Sequence, residues 1–204
     1  IAIVDPEFVM SLPGAIAADT GIDVLTHAVE AYVSILASDF TDGWAKQAVK
    51  LVFEYLEESV KKGTPIAREK MHNAATIAGM AFANAFLGVN HSMAHKLGAF
   101  HHLPHGVANA VILTEVMRYN AAEVPTKMGT FSQYQYPHAL ARYAELGRFA
   151  GCTGKDDKEV FENFIAKLEE LKEKIGIKKT IKDYGIDEKY FLDTLDEMSE
   201  QAFN

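Results

Sequence analysis

The stretch from Thr20 to Tyr32, which reads TGIDVLTHAVEAY, decides the fold class of this chain. Its apolar residues Ile22, Leu25 and Val29, together with Val33 just after the stretch, have the spacing typical of a helix that buries one face. Threonine is a common helix cap, so the pattern predicts a helix from Thr20 to about Ala37. Asp23 then lies near the predicted helix N-terminus, and His27 follows one turn later on the same face.

Similar patterns cover most of the remaining chain. They predict helices over residues 41–62, 66–86, 92–102, 106–120, 137–150, 156–175 and 187–203. Thr41 or Asp42 is the predicted cap of the second helix, and Gly63 and Pro104 mark two of the breaks. Residues 1–4 resemble the end of a strand, and residues 129–137 have the polar and aromatic composition of a loop. The chain is therefore predicted to be all-α, a single domain over residues 1–204.

The bulk composition limits the class of function. The formal net charge of −8 argues against a nucleic-acid partner, because no basic cluster overrides it. The most apolar stretch, Ala74 to Val89, is shorter than the ~20 residues that span a bilayer, so it predicts a buried core helix, apolar on every side, and no membrane partner. The single cysteine, Cys152, indicates a reducing compartment and hence the cytoplasm. The chain has no glycine-rich strand-to-helix turn, so no cofactor-binding residue is predicted for a dinucleotide.

Histidines are concentrated in one window of the sequence. Five of the eight fall between positions 91 and 105, and His91 and His95 share a helix face just as Asp23 and His27 do. Two such pairs that face each other can build a metal site in a helical bundle, and imidazole and carboxylate ligands suit iron or zinc. The alternatives are a hydrogen-bonded surface pair and histidines that cap helix ends. Spacing alone favours His91 with His95 and gives no firm reason to choose His105.

Several segments together carry a resemblance to a known family. Besides residues 20–32, they are GVNHSMAHKLG at 88–98, LPHGVAN at 103–109, ASDFTDG at 37–43, AREKMHNAATIAG at 67–79, PTK at 125–127 and FSQY at 131–134. In this order and spacing they resemble the iron-containing (group III) alcohol dehydrogenases, and most closely the alcohol dehydrogenase portion of the bifunctional aldehyde-alcohol dehydrogenases. The resemblance implies the multi-helix C-terminal domain of the dehydroquinate synthase-like fold, with residues 1–10 as the remnant of a linker from a nucleotide-binding domain.

The resemblance also implies a site and a reaction. Its metal, Fe2+ with Zn2+ as the alternative, is assigned by motif position to Asp23, His27, His91 and His105. His95 is then a catalytic residue beside the substrate that helps to move protons. The implied reaction interconverts a short aldehyde, such as acetaldehyde, and its alcohol by hydride transfer with NAD, at the end of fermentation. The NAD is held mainly by the preceding domain, so the chain alone is expected to bind metal without turnover, and the full-length protein to be a homo-oligomer.

Two other functions remain open from the sequence. One is a zinc-dependent glycerol-type dehydrogenase, which shares the fold and uses fewer protein ligands. The other is a helical assembly module, since the amphipathic helix predicted at 156–175 could make contacts between subunits.

Overall fold

The computed structural model describes residues 3–122 and 138–203, and every regular element in this part of the chain is helical. The predicted all-α, multi-helix class is therefore confirmed. The α-helices are α1 (Gly14–Val33), α2 (Asp39–Lys61), α3 (Pro65–Ala85), α4 (Val89–His101), α5 (His105–Ala121), α6 (Ala139–Phe149), α7 (Asp157–Lys174) and α8 (Glu188–Phe203). Short 3-10 helices span Pro6–Val9 and Ile181–Tyr184.

Helix α1 is the element around which the others are arranged. It packs against α2, α3 and α5, and its Ile22, Leu25 and Val29 are completely buried, as the apolar spacing predicts. The predicted start was wrong: the helix begins at Gly14, and the Thr20 hydroxyl donates a hydrogen bond to the Ile16 carbonyl within the helix instead of capping it. Residues 14–19 extend the helix towards the N-terminus because three of the six are alanine, the strongest helix former. Asp23 consequently lies in the helix interior, not at its N-terminus.

Other helix boundaries agree with the predictions to within a few residues. Ser38, not Thr41 or Asp42, caps α2, and Thr41 completes a capping box by accepting a bond from the Ser38 amide. Gly63 follows α2 with a φ of 62°, which glycine adopts without strain. Ile3 and Val4 form no strand, and the predicted loop at 129–137 lies outside the described residues.

Helix α3 corrects the prediction of a core helix that is apolar on every side. Its buried face is a row of small residues, mostly alanine, which lets α3 lie close to α1 and α2. The other face is open, since the side chains of Met80 and, just past the helix end, Phe86 are exposed. In the described part of the chain, no helix combines the length and apolarity that a membrane crossing requires.

The later helices close the fold on the side of α4 and α5. Pro104 separates these two helices as predicted, and the break is tight because His102 takes a left-handed conformation with a φ of 56°. Asp156 caps α7, which packs against α6 through buried residues such as Phe164 and Leu168. Helix α8 packs against α4. The N-termini of α4 and α5 lie against the same face of α1, where Glu30 accepts the Asn90 amide and Asp19 accepts the Val107 amide.

Candidate metal centre

Four side chains from three helices meet on this face of α1. Asp23 and His27 come from adjacent turns of α1, His91 from the first turn of α4, and His105 from the first residue of α5. Each offers one ligand atom, and these four atoms all lie within 4.8 Å of one another. Nitrogen and oxygen ligands sit roughly 2.0–2.2 Å from a first-row metal ion, so opposite donors are about 4.4 Å apart at most. In tetrahedral coordination the donors are about 3.4 Å apart, so the four atoms would have to draw together by up to about 1.4 Å to share one ion.

His91 shows most clearly that the group suits a cation. Its ring is 2% exposed, and its Nδ1 lies 2.5 Å from Glu30 Oε2. Glu30 also accepts the backbone N–H groups of Asn90 and His91. Because the carboxylate acts as an acceptor in these bonds, the proton between Glu30 Oε2 and His91 Nδ1 belongs to the imidazole. His91 Nε2 is buried with no hydrogen-bond partner and points towards Asp23, whose Oδ1 is 3.4 Å away. A buried nitrogen of this kind is costly unless something binds it.

Asparagines hold the Asp23 carboxylate in place. Asn109 Nδ2 donates to Asp23 Oδ1 at 2.7 Å and lies 3.2 Å from His105 Nε2. Asn90 Nδ2 in turn donates to Asn109 Oδ1 at 2.8 Å. Sequence reasoning did not single out Glu30, Asn90 or Asn109 as site residues. The available signal was positional: Asn109 follows His105 by four residues, and Glu30 follows His27 by three, so each shares a helix face with a candidate ligand.

The electrostatics of the group favour a bound cation. Burial alone raises the pKa of the Asp23 carboxyl, but His91 and the other histidines beside it bring that pKa below its ordinary value. Burial lowers the pKa of His27 to about 4, since the nearby carboxylates offset only part of it. Burial also opposes protonation of His91, but the carboxylates of Asp23 and Glu30 outweigh it and raise its pKa to about 9. Near pH 7, Asp23 is therefore ionised and His27 neutral, which are the forms that bind metal, whereas His91 is protonated and would release a proton when its Nε2 binds the ion.

His95 lies beside this group but is not one of the four. Its ring stacks on His105 at 5.1 Å between centroids and meets His91 edge-on at 6.2 Å. Burial, then the neighbouring His105 and His91, lower the pKa of His95. Spacing along α4 favoured His95, but the group of four donor atoms includes His105 and not His95, because the tight break at Pro104 turns His105 back towards Asp23.

A cavity of about 410 Å³ opens beside Asp23 and His27. Its wall on the α3 side is largely apolar, with Met71 and Phe82, and the His27 ring stacks between Phe82 and His91 at 4.5 and 4.4 Å. The cavity therefore reaches Asp23 and His27 from the α3 side, whereas His91, His95 and His105 do not line it.

The remaining candidates have structural surroundings. His101 packs edge-on against Tyr190 at 5.1 Å and near Phe191, so it serves the contact between α4 and α8. Burial raises the pKa of the Cys152 thiol, which keeps it protonated and disfavours a nucleophilic role.

With this geometry in view, comparison with known proteins identifies the class. The profile of the Fe-containing alcohol dehydrogenase family, C-terminal region, matches residues 17–204. The chain therefore belongs to the iron-containing alcohol dehydrogenase family, and the predicted resemblance is confirmed.

Individual relatives agree with this assignment. The chain is 52% identical to the "Bifunctional aldehyde-alcohol dehydrogenase AdhE" of Escherichia coli K12, over all of this chain and 23% of that protein. The solved iron-containing alcohol dehydrogenase from Thermococcus thioreducens superposes with a TM-score of 0.84 at 38% identity, over 99% of this chain and 47% of that one. A sulfoacetaldehyde reductase from Bifidobacterium kashiwanohense, solved with NAD+, gives a TM-score of 0.77 at 29% identity, over 98% and 47%. The chain spans about a quarter of its bifunctional relative and about half of the solved ones.

Proposed function

We propose that Asp23, His27, His91 and His105 hold Fe2+ as the metal of an alcohol dehydrogenase. The observation that carries the proposal is the convergence of four donor atoms within 4.8 Å, one of them the buried and unpaired Nε2 of His91. Three imidazoles and one carboxylate also suit Zn2+, so the identity of the ion is decided by measurement and not by the donor set.

The reaction that this site would serve is the interconversion of a short-chain aldehyde, such as acetaldehyde, and its alcohol, with hydride exchanged with NAD. A bound metal ion would supply Lewis acidity to the substrate oxygen. The names of the relatives support an aldehyde and alcohol chemistry, and the reductase solved with NAD+ supports the nicotinamide. Because those relatives extend well beyond this region, we assign most of the NAD-binding surface to parts of the protein other than these residues.

His95 is our candidate for the proton transfer. It is exposed, it lies next to His105, and its lowered pKa keeps it neutral near pH 7, where an imidazole can accept or donate a proton. The apolar wall formed by Met71 and Phe82 would hold the carbon chain of a small substrate beside the metal group and exclude water from it.

We further propose that the 204 residues alone bind metal without turnover, and that the full-length protein is a cytoplasmic homo-oligomer. Acetaldehyde with NADH should give no absorbance change at 340 nm when the chain alone is the catalyst. Helix α7 offers little to a separate assembly function, because its apolar face is already buried within this chain.

Metal binding tests the ligand assignment directly. Fe2+, under anaerobic conditions, and Zn2+ are titrated into the protein against a competing chelator, and bound metal per chain is measured after gel filtration. His91→Ala and His105→Ala should each weaken binding by more than about 100-fold, because loss of a ligand exceeds the effect of an outer partner. His95→Ala should leave the affinity unchanged, and His101→Ala, at the far end of α4, is the matched control.

If His95→Ala loses the metal and His105→Ala keeps it, the ligands follow helix spacing and the assignment is wrong. Because Zn2+ generally binds such donors more tightly than Fe2+, the discriminating result is activity: bound zinc, with no activity recovered by Fe2+ in the longer protein, would support the glycerol-type alternative.

A further inference from the structure

We propose that Asp19 and Glu30, two carboxylates of α1, are positioning residues that cap the two helices bearing His91 and His105. This inference rests on the proposed metal site and adds to it the part of the chain that sets the distance between its ligands.

The N-terminus of α4 has no cap of its own, since Gly88 stands at the capping position. Glu30 supplies one from α1. Its Oε1 accepts the Asn90 amide at 2.8 Å and its Oε2 the His91 amide at 3.2 Å, and the same carboxylate binds His91 Nδ1 at 2.5 Å. Glu30 is 3% exposed, so these contacts lie out of water. One side chain therefore holds both the start of α4 and the ring orientation of its ligand.

The N-terminus of α5 is built in the same way. Pro104 stands at its capping position and makes no side-chain hydrogen bond. Asp19 Oδ1 accepts the Val107 amide at 2.6 Å, and the Gly106 amide also faces the Asp19 carboxylate. In both helices the amides of the second and third residues go to a carboxylate of α1, the arrangement that a normal N-cap side chain gives within its own helix.

Both capping carboxylates and both α1 ligands form one stripe on the helix. Positions 19, 23, 27 and 30 are separated by four, four and three residues, which is one turn each. The ligands Asp23 and His27 lie in the middle of the stripe, and a carboxylate lies at each end, about 16 Å apart along the axis. A single rigid helix thus presents two ligands and sets the place of the other two.

Two glycines permit this close approach. A Cβ at Gly88 would lie 2.7 Å from Glu30 Oε1, and a Cβ at Gly106 would lie 2.0 Å from the Asp19 carbonyl oxygen. A side chain at position 106 would clash with the α1 backbone, and one at position 88 would push the Glu30 carboxylate aside, so glycine at both positions lets each ligand helix meet its capping carboxylate. These contacts explain physically why glycine stands at positions 88 and 106 in the two segments that contain His91 and His105.

The test compares the site variants Glu30→Gln and Asp19→Asn with a variant of a carboxylate that lies outside the site. Asp42→Asn is the control, because Asp42 is partly buried, as Asp19 is, but pairs with Arg142. The affinity for Zn2+ is measured by chelator competition on protein whose circular dichroism matches the wild type. Each site variant should lose about 10- to 100-fold in affinity, as is usual for partners of metal ligands, while the control keeps its affinity.

A second measurement separates positioning from a general loss of stability. In the zinc-loaded protein labelled with nitrogen-15 histidine, the Nδ1 proton of His91 should give a downfield, slowly exchanging signal. Glu30→Gln should shift or remove it, whereas Asp19→Asn and Asp42→Asn should leave it in place. If Glu30→Gln does not fold, Gly88→Ala displaces the carboxylate without removing it and should give the same loss.

The outcomes also distinguish the two proposals. A wild-type protein that binds metal, with site variants that bind it equally well, overturns the positioning role alone. A wild-type protein that binds no metal overturns the proposed function together with this inference.

Discussion

Two polar regions of this molecule, one partly exposed and one buried, are built on opposite principles. Around Arg142, on α6, each charge meets an opposite charge: Arg142 binds Asp42 at 2.6 Å and Lys46 binds Glu145 at 2.7 Å. Around His91, the carboxylates of Asp23 and Glu30 make their ion-pair contacts only with histidines, among the described residues. The first region is complete without a ligand, whereas the second retains acidic groups and an unpaired nitrogen, and so suits a cation.

The largest expected difference between the regions is in metal binding. Asp23→Asn should weaken Zn2+ or Fe2+ binding by more than about 100-fold, because the amide oxygen carries no charge and Asn109 already donates to this position. At a metal concentration of 100 times Kd, the ion stabilises the wild type by about 2.7 kcal/mol, which a chelator removes. The melting temperatures of the wild type and of Asp23→Asn, each with and without chelator, measure this stabilisation. A wild type that melts at the same temperature in both conditions contradicts the prediction.

Stability without metal should show the reverse order. Asp42→Asn breaks the paired contact between Asp42 and Arg142, which are about one-fifth exposed, and leaves a guanidinium short of its partner. We expect a loss of about 1.5–3 kcal/mol in the free energy of unfolding, the range for hydrogen bonds to charged groups. Asp23→Asn should cost less in the metal-free protein, since Asp23 lacks a lysine or arginine partner. Urea unfolding of both variants in the presence of chelator makes the comparison. A larger loss for Asp23→Asn would show that the metal region is also a structural ion-pair network.

The smallest expected effect is the pH dependence that Glu145 contributes in the paired region. The Lys46 ammonium, followed by Tyr32, lowers the pKa of Glu145 from its ordinary value of 4.5. A carboxyl whose pKa is lowered by folding contributes stability above the unfolded pKa, and this contribution is lost as the pH falls through the folded one. Glu145→Gln should therefore flatten the fall in stability below about pH 4.5. The effect is small and screened by salt, because Glu145 is half exposed. Thermal melts from pH 3 to 6 at low and high salt measure it, and an unchanged slope in the variant would contradict it.

Much of the fold was predictable because the relevant signals are local. Apolar spacing predicted α1 through its buried Ile22, Leu25 and Val29, and Gly63 and Pro104 predicted breaks that the structure contains. The start of α1 was not predictable from Thr20 alone, since the helix formers before it decide where the helix begins. The burial of α3 was mispredicted because an alanine-rich helix can bury one small face and leave the other open.

The candidate site likewise has a part that the sequence predicts and a part that it does not. Asp23 and His27 share a helix face, so their pairing follows from the sequence by itself, as does the concentration of histidine after position 90. The residues alone did not choose His105 over His95, and the family resemblance was needed for that choice. They also gave no reason to connect Glu30 with His91, which is 61 positions further along the chain.

The sequence by itself determined that this protein is helical, that it carries two potential ligands on one helix, and which family it resembles. The tertiary structure decided which histidines join that pair, because His105 reaches Asp23 only after the chain turns at Pro104 and α5 packs on α1. It also decided that carboxylates of α1 cap both ligand helices. Helix periodicity acts over a few residues, whereas a site built from three helices depends on distances that exist only after they pack.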